Sequence, residues 1–385
     1  MKICDLTQAY TPNSGGIRTY IHEKQKYIVQ HTNDDHLLII PGDSDSVTRN
    51  GRFTIYTIKA PHIPKCEPYR FTFRVDKVYE ILKKERPDVI EVGSPYVMPF
   101  PAILYKWQTK CSLLGFYHTD FPTAYSQGTI TRMAGANWGM VAKRLSEWYA
   151  RVIYNRLDYT VTASRMLQEK LIKMGIKRVA MVPLGVDIDI FNPIRRATTI
   201  RQQLNIEDDQ VLFIYAGRLD SEKRIDILLE AFENSFKAFN GALLIVGQGP
   251  MKDLVVRYTK KNPRIYFLPY VNDKNTLAEI LASADIYVTA GPYETFGLSI
   301  IEAQSSGLAV LGVKAGALME RVNPKVGVLI QPDSMEAMAV NMFELATNGY
   351  KEKGRNARKL VEENFSWNKT FKKLYGLYEV SVNKN

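Results

Sequence analysis

Cysteine is scarce in this chain: Cys4, Cys66 and Cys111 are the only three among 385 residues, and they lie far apart. Their odd number and wide spacing speak against a disulfide framework or a cysteine-based zinc site and fit a reducing compartment. Long apolar runs are also missing, and none approaches the roughly 18–20 residues that cross a bilayer. The opening Met1-Lys2-Ile3-Cys4-Asp5 carries an acid inside its first apolar run, so it reads as a strand rather than a signal peptide. A cytoplasmic protein is the expectation. No His/Cys cluster has metal-ligand spacing, so no metal is expected, and no Gly-x-x-x-x-Gly-Lys-Ser/Thr phosphate loop occurs. Low-complexity tracts, linkers and long internal repeats are absent. With 45% hydrophobic and 24% charged residues the chain has the globular average, which excludes disordered, collagen-like and coiled-coil chains.

Positive charge is what the chain has in excess, +11 overall, and it is unevenly spread. Residues 1–200 hold 28 Lys/Arg against 18 Asp/Glu, whereas residues 201–385 hold 23 against 22. Such a field favours an anionic partner: a membrane surface, a phosphorylated substrate or nucleic acid. A solvated basic surface that aids solubility is the plainer alternative. The stretch from Tyr69-Arg70-Phe71-Thr72-Phe73-Arg74 to Lys83-Lys84 interleaves aromatics and cations as an interfacial helix would. An ordinary core-packing amphipathic helix has the same pattern. No basic-aromatic RNA motif or recognition-helix pattern occurs, so no nucleic acid partner is expected.

Short apolar runs alternate with helix-like stretches almost from end to end. Strands are expected at Lys2–Leu6, Leu37–Ile40, Phe53–Ile58, Val89–Val92, Leu113–Tyr117, Tyr159–Ala163 and Val179–Val182. Six more are expected at Val211–Ala216, Ala242–Val246, Ile265–Phe267, Ile286–Thr289, Ala309–Val313 and Val326–Leu329. Many are continuous apolar runs, as buried parallel strands are. The intervening amphipathic segments, such as Ile225–Ala238 and Thr276–Ala282, complete a βαβα order and predict doubly wound α/β sheets. Thirteen strands are too many for one such sheet. Pro183-Leu184-Gly185-Val186-Asp187 and then Asn192-Pro193 punctuate the chain and mark the cut between two Rossmann-like domains. The expected division is 1–186 and 187–364, followed by a C-terminal helical segment, 365–385. Its pattern over Trp367–Val382 puts Phe371, Leu374, Leu377 and Tyr378 on one face.

The chemistry-bearing residues cluster where such strands end. Tyr293-Glu294-Thr295-Phe296-Gly297-Leu298-Ser299-Ile300-Ile301-Glu302-Ala303 follows a strand and a Gly-Pro turn and opens a helix. Open α/β sheets bind ligands at the carboxyl ends of their strands. Backbone N–H groups of Thr295, Phe296, Gly297 and Leu298 at that helix start can hold phosphate oxygens. Glu294 belongs in the loop above the sheet and Glu302 inside the helix, two acceptors at two depths, which suits a nucleotide sugar. The plainer alternatives are a helix-dipole charge for Glu294 and a partly buried structural carboxylate for Glu302. Gly217-Arg218-Leu219-Asp220-Ser221-Glu222-Lys223-Arg224 follows another strand. Gly217 permits a sharp turn, and Arg218 and Lys223 can clamp a diphosphate, one as a fork and one as a point charge. Ion pairing with Asp220 or Glu222 is the alternative. Gly15-Gly16 after the first strand lets amides approach phosphate, unless it is an ordinary tight turn. His118 in Tyr117-His118-Thr119-Asp120-Phe121-Pro122 ends a strand where it could bond a sugar hydroxyl, with Tyr117 and Asp120 beside it; a structural histidine is the alternative. Gly247-Gln248-Gly249-Pro250 reads as a turn that brings backbone near a ligand, or as a plain strand-to-helix turn. Asp187-Ile188-Asp189 falls at the hinge and reads as a solvated turn.

At these residues the sequence resembles the retaining, nucleotide-sugar-dependent glycosyltransferases of family 4, also called group 1. Glu294 and Glu302 match the family's Glu-x7-Glu signature, and Gly217–Lys223 its Gly-Arg-Leu-x-x-Glu-Lys element. Gly15-Gly16, Tyr117–Pro122 and the Pro183–Asn192 hinge pattern also fit, so the resemblance spans nearly the whole chain. It is most like mannosyltransferase-type members. The resemblance implies the GT-B fold: two facing Rossmann-like domains with parallel sheets, a deep cleft between them, acceptor on the N-terminal side, donor on the C-terminal side, and a last helix crossing back. It implies Arg218 and Lys223 on the donor diphosphate with Gly15 and Gly16 amides nearby, and Gly217, Gly247 and Gly249 around the donor. It places Glu294 on the sugar hydroxyls, Glu302 on the ribose, His118 beside the sugar, and the base near Tyr270 and Val271. No cofactor or metal is implied beyond the donor itself. The expected reaction moves a hexose, mannose from GDP-mannose before a UDP-hexose, to a hydroxyl of a lipid-linked, polysaccharide or polyol acceptor, with docking on an anionic membrane leaflet. Arg224 departs from the glycine common after the lysine, Ala315-Gly316-Ala317 from a frequent glycine pair, and Gln248 from a frequent acid. An epimerase or phosphorylase on the same fold, and a nucleic-acid-binding protein, are the competing readings.

Overall fold

The computed structural model describes residues 1–10, 16–63 and 70–384. Gly15 and Tyr69 lie outside the described residues. The chain divides into two compact units, Met1–Pro183 together with the chain from Thr370 onwards, and Leu184–Lys369.

The first unit is built on strands β1 (Lys2–Leu6), β2 (Asp35–Gly42), β3 (Ser46–Asn50), β4 (Phe53–Lys59), β5 (Val89–Val92), β6 (Ser112–Phe116), β7 (Tyr159–Thr162) and β8 (Val179–Met181). They form one sheet in the order β3-β4-β2-β1-β5-β6-β7-β8, parallel except for the β3–β4 pair. Its inner strands are sealed on both faces, as Val89–Val92 and Ser112–Phe116 show by being buried at every position. This is why they read as largely apolar runs without alternation, Glu91 being the charged exception in β5. Helices Val75–Glu85 and Pro99–Gln108 pack beside the sheet and supply Val78, Ile81, Leu82, Ala102 and Ile103 to its core. The apolar face of Val75–Glu85 is therefore taken up by the core, which favours the core-packing reading of that stretch over the interfacial one. From Thr370 the last helix, Trp367–Val382, belongs to this unit, with Phe371, Leu374 and Tyr378 buried.

The second unit holds β9 (Val211–Arg218), β10 (Gly241–Gln248), β11 (Ile265–Leu268), β12 (Ile286–Val288), β13 (Ala309–Val313) and β14 (Gly327–Ile330). Its sheet runs β11-β10-β9-β12-β13-β14, all parallel. Helix Ile225–Ser235 buries Ile225, Leu228, Leu229 and Phe232 against it. Each such fully buried side chain stabilises the unit by about 2 kcal/mol. The hinge residue Gly185 is fixed by contact: a Cβ there would sit 2.3 Å from the Trp367 amide nitrogen. Asp187 accepts from the Asp189 and Ile190 amides at 3.3 and 3.1 Å, so it shapes a turn.

All thirteen expected strands are present, and β3 is a fourteenth. It pairs as a hairpin through Gly51-Arg52, with Asn50 opposite Phe53 and Gly51 at φ 55°. Its five residues are all exposed, so it carries no hydrophobic pattern. Among the described residues no helix is long and apolar enough to cross a membrane.

Candidate functional site

In the second unit the strand order places β9 at the centre, with β10 on one side and β12 on the other. The chain leaves β9 in one direction and returns to the opposite side at β12. Doubly wound sheets take ligands at the carboxyl ends of strands beside such a reversal. There β9 ends on Gly217-Arg218, pinned by the Tyr215 hydroxyl, which donates to the Arg218 carbonyl at 2.7 Å. The Arg218 guanidinium is 64% exposed and pairs with Asp220 at 2.7 Å. A 3₁₀ turn, Ser221–Lys223, then carries Lys223 back over the sheet. Its Nζ donates to Glu294 Oε2 at 3.0 Å, while Glu222 stands off at 3.9 Å. Burial lowers the Lys223 pKa, but Glu294 more than offsets this and the net shift is upward. Arg224 sits at φ 53°, the left-handed conformation that glycine adopts freely, and its Nε bonds Asp333 Oδ1 at 2.6 Å. The turn is thus kept without the glycine.

Glu294 follows β12 and is held at both ends. Its Oε1 accepts from the Gly297 amide at 3.2 Å, and its carbonyl accepts from the Ala317 amide at 2.8 Å. Gly316 makes this approach possible: at φ 56°, a Cβ would lie 2.5 Å from the Glu294 carbonyl oxygen. Gly297, at φ 84°, opens helix Leu298–Ser305. The buried Tyr287 hydroxyl donates to Ala216 O at 3.1 Å and meets Ser299 Oγ at 2.9 Å, tying the end of β9 to that helix. Both Glu294 and Glu302 act electrostatically on Tyr287. Glu302 is half-buried, and among the described residues its carboxylate has no hydrogen-bond or ion-pair partner. Burial pushes its pKa up to about 7, against a weaker downward pull from Lys274. The Phe296 ring turns into the unit, under the Arg321 guanidinium at 4.3 Å.

Gly247 and Gly249 answer first to β9. A Cβ on Gly247 would come within 1.9 Å of Gly217 O, and one on Gly249 within 2.6 Å of Leu219 O. The strands stay paired through Gln248, whose carbonyl accepts from the Leu219 amide at 3.0 Å. Tyr270 and Val271 follow β11 in a loop before helix Lys274–Ser283, with the Tyr270 side chain exposed.

The first unit has its own reversal, between β1 and β5. Thr7 Oγ1 meets Ser94 Oγ at 3.3 Å, and the Gln8 amide donates to Ser94 Oγ at 2.8 Å. The Gln8 side chain is buried, and neither its Nε2 nor its Oε1 has a partner among the described residues. Gly16 begins helix Gly16–His31. His118 stacks flat on Phe116 at 4.1 Å and meets Tyr20 edge-on at 5.6 Å. Burial and the Lys24 charge lower its pKa to about 3, so the ring is neutral. Tyr117 is buried in the core against Tyr154, and Asp120 is held by Lys170.

Residues 196–362 match the family described as "Glycosyl transferases group 1", and residues 14–190 match "Glycosyltransferase Family 4". The chain belongs to this glycosyltransferase family. A "GDP-mannose-dependent alpha-(1-6)-phosphatidylinositol dimannoside mannosyltransferase" of Mycobacterium tuberculosis is 28% identical over 376 residues, covering 95% of this chain and 93% of that one. A "GDP-mannose-dependent alpha-mannosyltransferase" of Corynebacterium glutamicum is 25% identical over 334 residues, 86% of this chain and 76% of that one. Among solved structures, sucrose-phosphate synthase from Thermosynechococcus elongatus superposes with a TM-score of 0.79 at 20% identity over 100% of both chains. Anabaena HepE in complex with UDP does so at 0.75 and 18%, over 99% of this chain and 100% of that one. The fold of this glycosyltransferase is GT-B.

Of the residues singled out from the glycosyltransferase sequence, Arg218, Lys223, Glu294 and the amides of 295–298 gather around one reversal, with Glu302 within the helix that opens there. Tyr117 packs on Tyr154 and Phe121 and donates to Asp120 at 3.5 Å, and Asp120 pairs with Lys170. Sequence reasoning missed Tyr287, Ser299 and Gln8, and it missed a buried ionic cluster. Lys24 is wholly buried and donates to Asp5 at 2.7 Å and to the Tyr378 hydroxyl at 3.2 Å, with Glu91 at 3.1 Å. Tyr20 and Tyr378 donate to Glu91 at 2.9 and 2.6 Å, and His36 Nε2 meets Asp5 at 2.6 Å. An acid inside a strand, as at Asp5 and Glu91, was the available signal.

Proposed function

We propose that this glycosyltransferase moves mannose from GDP-mannose to a hydroxyl of a glycolipid, polysaccharide or polyol acceptor, with retention of anomeric configuration, at the cytoplasmic face of a membrane. The observation that carries the donor site is the Lys223–Glu294 pair at the β9/β12 reversal, a half-buried cation and carboxylate 3.0 Å apart. Such a pair is poised to separate onto a ligand that brings both phosphate and hydroxyls. Lys223 and the exposed Arg218 meet the diphosphate, and the amides of 295–298 add donors at a helix start. Glu294 then accepts from sugar hydroxyls. The unpartnered Glu302 carboxylate accepts from ribose hydroxyls. His118, neutral, stands beside the sugar.

In the reaction the bond from the anomeric carbon to the phosphate oxygen breaks as the acceptor oxygen attacks the same face. The acceptor proton passes to the departing phosphate, so no carboxylate nucleophile is required. Arg218 and Lys223 stabilise the charge that grows on that phosphate, and no metal is assigned a role. Mannose and GDP are supported by the names of the two relatives, and a glycolipid acceptor by that of the first. The test is a thermal-shift panel of GDP, UDP, ADP and their hexose conjugates. A ligand at a hundred times its Kd stabilises the folded state by about 2.7 kcal/mol. GDP should raise the melting temperature and GDP-mannose should raise it further. A shift with UDP compounds alone would move the donor to UDP-hexose, and no shift with any of them would remove the donor site.

A further inference from the structure

Helix Ala136–Tyr154 belongs to the insertion between β6 and β7 of the first unit, and it buries little: Gly139, Ala150, Ile153 and Tyr154. On its other side Trp138, Val141, Leu145 and Trp148 stand in solvent. Their spacings of three, four and three residues put them in one stripe. Trp138 and Trp148 are 64% and 63% exposed. Met140 is exposed as well, as is Met133 at the end of the preceding helix Gly128–Ala134. Contiguous apolar surface of this kind marks an interaction site.

Arg144 and Arg151 border the stripe on one side, by the same helical geometry. Arg151 then leads into a recess of about 430 Å³ lined by Arg151, Asn155, Lys177 and Arg178. The recess is built by its surroundings. Gly175 has φ 87°, and a Cβ there would sit 3.0 Å from Arg151 Nε. Asn155 Nδ2 donates to Gly175 O at 2.9 Å, and Asn155 Oδ1 accepts from the Lys177 amide at 2.9 Å. Arg178 donates to Leu157 O at 2.8 Å. Among the described residues none of these three cations is paired with a carboxylate.

We propose that this face docks on an anionic lipid bilayer. The stripe Trp138–Trp148 lies at the boundary between headgroups and acyl chains, and the Arg151–Lys177–Arg178 recess takes a lipid phosphate. The charge beside the stripe favours this occupant: tryptophan and leucine flanked by arginine and lysine are what an interfacial helix presents. A second copy of the chain fits less well, because a two-fold pairing of this face would gather Arg144 and Arg151 of both copies in one interface, like charges without an anionic counterpart. The docking is read without nucleotide sugar, so it stands or falls apart from the donor assignment.

The test is co-sedimentation of the full chain with vesicles of phosphatidylcholine, with and without phosphatidylglycerol. Wild type should bind the anionic vesicles and lose binding as salt rises. The variant W138S/W148S should bind them about tenfold more weakly or worse. K177A/R178A should lose roughly fivefold per charge on anionic vesicles, and nothing on neutral ones. Tryptophan fluorescence of the wild type should be quenched by brominated lipid, a readout that needs no variant. Absence of that quenching, or wild-type binding by W138S/W148S, overturns the docking. Wild-type binding by K177A/R178A overturns the phosphate recess. A dimer in light scattering that W138S/W148S dissolves would make the face an interface between copies and overturn the proposal.

Discussion

Replacing Glu302 by glutamine should make the ligand-free protein more stable at pH 8 while weakening its grip on the donor. The carboxyl is half-buried without a partner, and burial pushes its pKa from 4.5 up to about 7. A carboxyl raised in the folded state binds its proton more tightly folded than unfolded. Its ionisation therefore opposes folding: the penalty is absent below the unfolded value near 4.5, grows between there and about 7, and is full above. At 1.36 kcal/mol per unit the whole shift is worth ~3 kcal/mol, and about 2 kcal/mol once solvent at the half-buried site is allowed for. For a unit of this size that is roughly 4–8 °C in melting temperature. Glutamine has the same shape and cannot ionise, so scanning calorimetry should find the gain at pH 8 and see it shrink towards pH 5. Ribose hydroxyls that donate to the ionised carboxylate would lower its pKa in the complex, so donor affinity in the wild type should fall below pH 7, by up to about tenfold per unit. A glutamine variant that melts lower at pH 8, or gains equally at both pH values, refutes the electrostatic account. One that binds GDP like wild type refutes the ribose role.

Arg218→Ala should lower turnover by roughly 10²–10³-fold with an unchanged melting temperature, because the exposed guanidinium supports charge that forms on the leaving group. Near-normal turnover in the folded variant would remove it from the reaction. Glu294→Ala should weaken GDP-mannose more than GDP in calorimetric titrations, since the sugar hydroxyls lose their acceptor; equal losses for both would overturn that assignment. Gly247→Ala should destabilise by about 3 kcal/mol or more in urea, because its Cβ meets the Gly217 carbonyl at 1.9 Å. A midpoint like wild type would show that the two strands can part without loss.

The fold was legible because its strands are buried on both faces. Leu243-Leu244-Ile245 and Ala309-Val310-Leu311 are apolar without a break, as the strands of a parallel sheet covered by helices are. The edge strand Ser46–Asn50 carries no such mark, and only the Asn50-Gly51 turn betrayed it. The residues proposed for the donor were legible for a related reason. Arg218, Lys223 and Glu294 follow strands directly, so the sequence places them at carboxyl ends without any knowledge of tertiary contacts. What joins them was not legible: Lys223 and Glu294 are 71 positions apart, and the bond between them follows from the reversal of strand order. That Tyr117 is buried was not legible, because a strand end and a core position look alike in sequence. Gly247 and Gly249 were read as approach to a ligand, whereas the approach the structure holds is that of the neighbouring strand.

The two units handle charge at their reversals in opposite ways, and this bears on which one receives an anion. Beneath the β1/β5 reversal, Lys24, Asp5 and Glu91 are 0%, 4% and 1% exposed, and tyrosines close around them. A cation so enclosed is already neutralised by two carboxylates and cannot turn outward without leaving both behind unpaired, at a cost of several kcal/mol. It serves the fold, and Lys24 adds to the burial that already keeps His118 neutral. Beside the β9/β12 reversal, Lys223 and Glu294 are 19% and 26% exposed, and Arg218, paired with Asp220, is 64% exposed. These groups are partly open to water, so exchanging one partner for another costs them less than it would cost the sealed Lys24 cluster. Under the proposed function, a diphosphate arriving there would meet a cation closely held by one carboxylate, with Glu222 farther off at 3.9 Å, and that carboxylate, once released, could accept from sugar hydroxyls. The unit whose charges are least sealed is thus the better suited to an incoming anion, in keeping with the proposed donor site.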